Sequence, residues 1–234
     1  MFKIKAGEDL LLREREILRL ISVFLERDLK FIVVGGYAIA TFRYRFSVDI
    51  DLVIPEKEFK KFESVLMENG YSHSYSKDIK LIYGEKFERF EKKINNLPVN
   101  VDLLINGIVS RSTDATWSFN YIIKESVKRS FGEMEFRVPS KELLIAMKIH
   151  SGRFGDIRDI VALIENSDTK TIKKHASRGD RNKLKKLVND GINFLENRNF
   201  IDGFKGIFGA KFYKKESVEK TLNLLKSINY DNGR

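Results

Sequence analysis

The chain contains no cysteine. Disulfides and Cys-ligated zinc are thereby excluded, and the composition fits a reducing cytoplasm. Histidine is almost as scarce: His73, His150 and His175 are scattered and do not follow metal-ligand spacing. No apolar run approaches the ~20 residues of a membrane span, so no membrane partner is expected. No Gly/Pro/Ser-rich linker, internal repeat or low-complexity segment breaks the sequence. The opening Met1-Phe2-Lys3-Ile4-Lys5 leads into a charged helix pattern and not into a signal-peptide apolar core. What is present is 234 residues, 42% hydrophobic, enough for a globular core as one domain with an extension or as two small domains.

Charge is abundant and unevenly placed. Lys and Arg total 43 against 33 Asp and Glu, a net of +10. Residues 167–234 hold 16 basic and 8 acidic side chains, a net of +8, while residues 1–166 hold 27 and 25, a net of +2. A nearly neutral body with a basic C-terminal section suits a polyanionic partner such as RNA. The plain alternative is a solvated Lys-rich helical face, because these lysines interleave with apolar helix positions.

The most informative stretch runs from Phe31 to Ile54. Phe31-Ile32-Val33-Val34 reads as a buried strand, Gly35-Gly36 as a turn, and residues 36–42 as a short helix. A basic loop, Arg43-Tyr44-Arg45, then leads to a second strand over 48–54. On that strand Asp49 and Asp51 point to one side while Val48, Ile50 and Leu52 point into the core. Their Cβ atoms stand about 6–7 Å apart at strand rise. Carboxylates so placed can hold Mg2+, or Mn2+, and join it to substrate phosphates. The glycines let backbone approach a phosphate, and the helix start favours an anion.

An acid-x-acid pair alone is weak evidence, since roughly four or five are expected by chance at this composition. Glu14/Glu16 and Glu56/Glu58 fall in helix-like stretches, where residues two apart diverge, and Glu133/Glu135 follows no glycine turn. Only Asp49/Asp51 has a hydrophobic strand, an upstream Gly-Gly and an intervening helix.

The remaining pattern predicts a helix over 8–28, a helix over 56–69 stopped by Gly70, and strands over 71–83 and 86–94. Asn95-Asn96 marks a turn before a strand over 99–105. Asp102 stands within that strand among apolar neighbours, where an unpaired carboxylate is costly. If strand 99–105 lies beside strand 48–54, Asp102 joins the acid pair on one face. Residues 107–120 look irregular, and 121–138 suggest a strand and a hairpin turning at Gly132. Ser140 is placed to cap a helix bearing Leu143, Leu144 and Met147. Residues 151–155 break it, and a further helix begins near Asp156 with Ile157, Ile160, Val161 and Ile164 at helical spacing. Short basic helices follow from 168. This divides the chain into a core over 1–138, with its N-terminal helix, and a helical region over 139–234, basic from about 167.

Taken together, Gly35-Gly36, Asp49/Asp51 and Asp102 resemble the nucleotidyltransferase superfamily typified by DNA polymerase β. Arg45-Phe46-Ser47 ahead of the acid pair, Lys148-Ile149, Arg153 and Asp156-Ile157-Arg158-Asp159-Ile160 resemble AbiEii/MenT-type nucleotidyltransferase toxins. Ile149 and Ile160 stand where leucine is usual there, and Gly155 where a basic residue is common. The resemblance covers about residues 30–165. It implies an α/β fold with a mixed sheet flanked by helices and a helical C-terminal region. It implies an enzyme that moves a nucleoside monophosphate from an NTP to an acceptor hydroxyl with Mg2+. The acceptor would be RNA, such as a tRNA 3′ end, with a small molecule or a protein as the alternatives, and an antitoxin would be the protein partner. A non-catalytic nucleotide- or RNA-binding protein on the same fold is the third reading.

By the same resemblance Asp49, Asp51 and Asp102 would bind metal, with Asp102 placed to activate the acceptor. Gly35, Gly36 and Ser47 would contact the triphosphate, Ser47 from Asp49's side of the strand, and Lys148 would neutralise it. Arg45, Arg153, Asp156 and Asp159 would complete the nucleotide-binding set. Each of these has a bland counterpart: Lys148 snorkelling to solvent, Asp156 as a helix cap with Asp159, Arg153 as a loop arginine, Arg45 pairing with an acid.

Overall fold

The computed structural model describes residues 2–78, 86–197 and 199–231. The elements in chain order are α1 (Phe2–Glu26), β1 (Ile32–Val34), α2 (Gly35–Ala40), β2 (Asp49–Ile54), a 3-10 turn at Glu56–Glu58, α3 (Phe59–Glu68), β3 (Ser72–Asp78), β4 (Lys86–Ile94) and β5 (Leu97–Ile105). Then come β6 (Gly107–Val109), β7 (Thr116–Ser118), α4 (Phe119–Lys124), β8 (Ser126–Phe131) and β9 (Met134–Pro139). The last part is helical: α5 (Lys141–Ser151), α6 (Phe154–Leu163), α7 (Thr169–Ala176), α8 (Arg181–Leu195), α9 (Asn199–Phe208) and α10 (Lys215–Asp231), with a 3-10 turn at Ala210–Phe212. Two compact units result, one of Met1–Thr41, Phe46–Ile108 and Trp117–Val138, the other of Phe42–Arg45, Val109–Thr116 and Pro139–Arg234.

The first unit is built on a five-stranded sheet in the order β1-β2-β5-β4-β3. Strands β2 and β5 run parallel; the other neighbouring pairs are antiparallel, so the sheet is mixed as expected. Register follows from side-chain alternation. Ile50 and Leu52 of β2, with Val101 and Leu103 of β5, are fully buried. Apolar residues of α1 (Ile17, Leu20, Ile21 and Phe24) and of α3 (Phe62 and Leu66) are also fully buried. Phe24, Phe31 and Phe62 form an aromatic cluster with ring centroids 4.9–6.2 Å apart, edge-on or tilted as aromatic quadrupoles prefer. The alternate residues of β2 and β5 point the other way and carry the polar groups.

The β4–β5 hairpin shows why Asn95-Asn96 reads as a turn. Both residues have positive φ, +49° and +62°, and Ile94 pairs directly with Leu97. A two-residue loop with two left-handed residues matches the twist of its strands, and Asn tolerates that conformation better than other non-glycine residues. Other expectations shift. The part of strand 71–83 beyond Asp78 lies outside the described residues. Residues 119–124 form a helix, α4, capped by Ser118 Oγ, which accepts from the Tyr121 amide, and not the start of a strand. The hairpin β8–β9 does turn at Gly132, with φ +61°.

The second unit is an α-helical assembly. Ser140 caps α5 by accepting from the Leu143 amide, as the sequence predicts. Gly152 ends that helix in the left-handed conformation at φ +67°, the usual glycine stop. Helix α8 buries Leu184, Val188, Gly191 and Leu195 and leaves Lys183, Lys185 and Lys186 in solvent. Gly191 allows close packing: a Cβ there would lie 2.9 Å from Ile157 of α6. Helices α8 and α10 span 15 and 17 residues, longer than the short basic helices the sequence suggests. No helix among the described residues is long and apolar enough to cross a membrane.

Candidate active site

In the first unit, β2 and β5 bring the three predicted acids together. In the parallel register Asp49 lies beside Asn100, and Asp51 beside Asp102. All four side chains stand on the face opposite the buried Ile50, Leu52, Val101 and Leu103. Asn100 Nδ2 donates to Asp49 Oδ1 at 3.0 Å. Asp102 is only 5% exposed, and its carboxylate is gripped by the Arg89 guanidinium: Nε donates to Oδ1 and Nη2 to Oδ2, both at 2.6 Å. Arg89 is on β4 directly across from Asp102.

The Gly-Gly turn abuts this cluster. Gly35 has φ +63°, and a Cβ built on it would fall 1.9 Å from Asp51 Oδ2. The Asp51 carboxylate thus occupies the space a side chain would need, so glycine here serves close approach as well as turn geometry. We expect Gly35→Ala to push Asp51 out of position and to lower turnover by roughly a hundredfold, the penalty typical of an ångström-scale misplacement. Turnover of the purified variant, with circular dichroism to show a retained fold, checks this.

Strand β2 begins at Asp49, so Ser47 lies in the loop before it. Its hydroxyl donates to the Asp49 carbonyl at 3.2 Å, and its own carbonyl accepts from Tyr37 at 3.2 Å. Two side-chain contacts hold this loop where the strand pattern suggested one more ladder residue, Val48. Helix α2 is a single short segment of six residues ending in the buried Ala38-Ile39-Ala40.

In the second unit the Lys148 block also assembles, as a buried ion network. Gly152 turns the chain so that α6 folds back beside the end of α5. Lys148 Nζ then meets Asp156 Oδ1 at 2.5 Å and Asp159 Oδ2 at 2.9 Å. Arg153 adds a hydrogen bond from Nε to Asp156 Oδ2 at 2.7 Å. Arg45 Nε stands 3.4 Å from Asp159 Oδ1, an ion-pair contact without hydrogen-bond geometry. Lys148, Asp156 and Asp159 are all buried, at 7%, 3% and 1% exposure.

Two of the plain structural expectations do not hold, while Arg45 does contact an acid. Lys148 does not snorkel, and its ammonium is taken by two carboxylates. Asp156 does not cap α6, whose cap position is Arg153, without a side-chain cap bond. Arg153 keeps its exposed loop position yet binds Asp156.

Burial opposes charge on Lys148, but Asp159 and then Asp156 outweigh it and raise its pKa. Burial likewise pushes the Asp156 carboxyl up, and the Lys148 charge with bonds from Arg153, Lys148 and Ser151 brings it down to about 2. A carboxyl depressed in the folded state contributes stability above its unfolded pKa and loses it as pH falls through the folded value. We therefore expect about 2 kcal/mol of stability to disappear between roughly pH 4 and pH 2, and Asp156→Asn to flatten that slope. Urea unfolding at stepped pH measures it.

Arg89 is a member of this cluster that the sequence did not reveal. Its signal was faint: Phe87-Glu88-Arg89-Phe90 alternates poorly, and only the hairpin register places Arg89 opposite Asp102.

The three carboxylates supply hard oxygen donors of the kind that suit Mg2+ or Mn2+. Asp49 and Asp51 stand as a pair on one strand face and have the donor chemistry for that use. Asp102 is in register, but its oxygens are turned onto Arg89. Consistent with this, the described residues hold no ready-made group of three His, Cys, Asp or Glu side chains that could grip a metal ion.

A mixed sheet that carries an Asp-x-Asp strand beside a Gly-Gly turn, with a third Asp on the neighbouring strand, is the arrangement that the nucleotidyltransferase resemblance of the sequence implies. The chain belongs to the family described as uncharacterised nucleotidyltransferase, whose model matches residues 5–190. Its structure is similar to JHP933 from Helicobacter pylori, at 15% identity and TM-score 0.45, with 97% of this chain and 94% of that one covered. It is similar to the antibiotic-resistance factor ANT(2'')-Ia at 16% identity and TM-score 0.42, with 95% of each chain covered. It is also similar to the lincosamide antibiotic adenylyltransferase LnuA at 13% identity and TM-score 0.41, with 74% of this chain and 97% of that one covered. No curated protein matches the sequence.

Proposed function

We propose that this chain transfers a nucleoside monophosphate from an NTP to an acceptor hydroxyl, with Asp49 and Asp51 as the essential carboxylates. The observation that supports this most is the placement of Asp51, packed against Gly35 on one side and in register with Asp102 on the other. Bound Mg2+ or Mn2+ would join the carboxylates to the triphosphate and neutralise charge developing on the transferred phosphoryl group. Asp49 is oriented for this by Asn100, while Asp102 is held by Arg89. Gly35 and Gly36 leave backbone close to the carboxylate pair, where phosphate oxygens would sit. Positioning of this kind supplies most of the catalysis in phosphoryl transfer. The Lys148, Asp156 and Asp159 network, with Arg45 and Arg153, we assign to fixing the α5–α6 corner.

For the acceptor we propose RNA, with a tRNA 3′ end as the specific candidate. The net +8 of residues 167–234 supports a polyanionic acceptor, and α8 presents its lysines to solvent. A toxin role with a cognate antitoxin rests on the resemblance of the Arg45–Ser47 and Lys148–Ile160 segments to AbiEii/MenT-type toxins. The test incubates the protein with each α-labelled NTP, a divalent cation and total tRNA, and repeats it with ribosomal RNA and with no RNA. Label in tRNA, lost in Asp49→Ala, supports the reading. Equal turnover without RNA moves the acceptor to a small molecule or a protein.

A further inference from the structure

We propose that Arg89 is the built-in counter-ion of the three-aspartate cluster, competing with a divalent cation for Asp102. This rests on the metal-using reading of Asp49 and Asp51. The geometry is specific. A guanidinium forks onto both oxygens of Asp102 at 2.6 Å, taking the two in-plane positions a bidentate cation would use. Asp102 lies directly between Arg89 on β4 and Asp51 on β2 in the strand register. Like charges directly opposite on adjacent strands repel, so Asp51 and Asp102 need a cation beside them. Without a metal, the Arg89 charge supplies it. Hydrogen bonding to Asp102, opposed by burial and reinforced by the charges of Asp102, Asp49 and Asp51, raises the Arg89 pKa further. All three acids therefore act on this one guanidinium.

The consequence concerns metal affinity. A cation that recruits Asp102 as a third ligand must first loosen the Arg89 fork. The fork thereby weakens metal binding to the substrate-free protein and leaves Asp49 and Asp51 as the primary pair. A nucleotide that brings its own phosphate oxygens makes the third carboxylate dispensable, so the arrangement favours metal arriving with NTP. Arg89 acts here as a positioning residue through Asp102, not on the reacting atoms.

The experiment follows free Mn2+ by electron paramagnetic resonance during titration of the full chain, without nucleotide. We expect Arg89→Gln to bind Mn2+ on the order of tenfold more tightly than the unmodified protein, within the usual range of coupling between two sites. Arg89→Lys keeps a charge but loses the fork, and should fall between them. Asp102→Asn added to Arg89→Gln should restore the original affinity. Equal or weaker binding in both Arg89 variants, with binding still abolished by Asp49→Ala, overturns the inference while sparing the metal site. No Mn2+ binding in any protein overturns the metal reading itself, and the inference with it. If Arg89→Gln fails to fold, Arg89→Lys and the Arg89 Nε–H resonance decide: in the unmodified protein, saturating Mg2+ should speed its exchange with water, and unchanged exchange contradicts the proposal.

Discussion

Asp51→Asn should lower nucleotidyl transfer on the order of a thousandfold and leave the protein as stable as before, or more so. The size follows from the role. A carboxylate that fixes metal and phosphate supplies several kcal/mol in the transition state, and each 1.4 kcal/mol is about tenfold in rate. The sign of the stability change follows from the register. Asp51 sits opposite Asp102 on the adjacent strand, so the native site holds like charges close together at a cost. Asparagine keeps the shape and removes the repulsion. Activity lost with the melting temperature held or raised is the mark of a functional strain in the site, because structural residues lose both together. Turnover and thermal unfolding on the same preparation read the two effects at once.

Lys148→Met should act in the opposite way, through stability. It removes the ammonium that lies 2.5 Å from Asp156 and 2.9 Å from Asp159, and leaves two buried carboxylates short of a cation. Breaking one side of a buried ion pair costs about 3–5 kcal/mol, because an uncompensated charge stays behind. Arg153 still binds Asp156, so the loss should fall most heavily on Asp159, where Arg45 offers only a 3.4 Å contact. Combining Lys148→Met with Asp156→Asn and Asp159→Asn should recover much of the loss, since no buried charge then remains unpaired. Urea midpoints for the single and triple variants measure both. A single variant with an unchanged midpoint would mean that the network adds nothing to the helical unit.

The sequence made the acid strand legible because its chemistry depends on a period of two. Asp49 and Asp51 alternate with Ile50 and Leu52, and no partner strand is needed to see it. Asp102 was legible for the same reason, as a charge inside an apolar strand. The Asn95-Asn96 turn was legible because two consecutive left-handed residues are a local demand. Arg89 was not, because its meaning lies in the β4–β5 pairing and not in its own strand. The start of the acid strand was read one residue early, at Val48, because the side-chain bonds to the Asp49 carbonyl and from Tyr37 that hold the preceding loop have no local sequence signal. Lys148 and the Asp156/Asp159 pair were legible as a set of charges. Their mutual pairing depends on Gly152 reversing the chain, and a run of charges does not show where a reversal aims them.

The most direct test of the central claim is pyrophosphate release from each NTP by the purified chain, with and without Mg2+, alongside Asp51→Asn. Release is expected with at least one NTP in the presence of RNA, dependent on the cation and lost in Asp51→Asn. Release that persists undiminished in Asp51→Asn would contradict the claim.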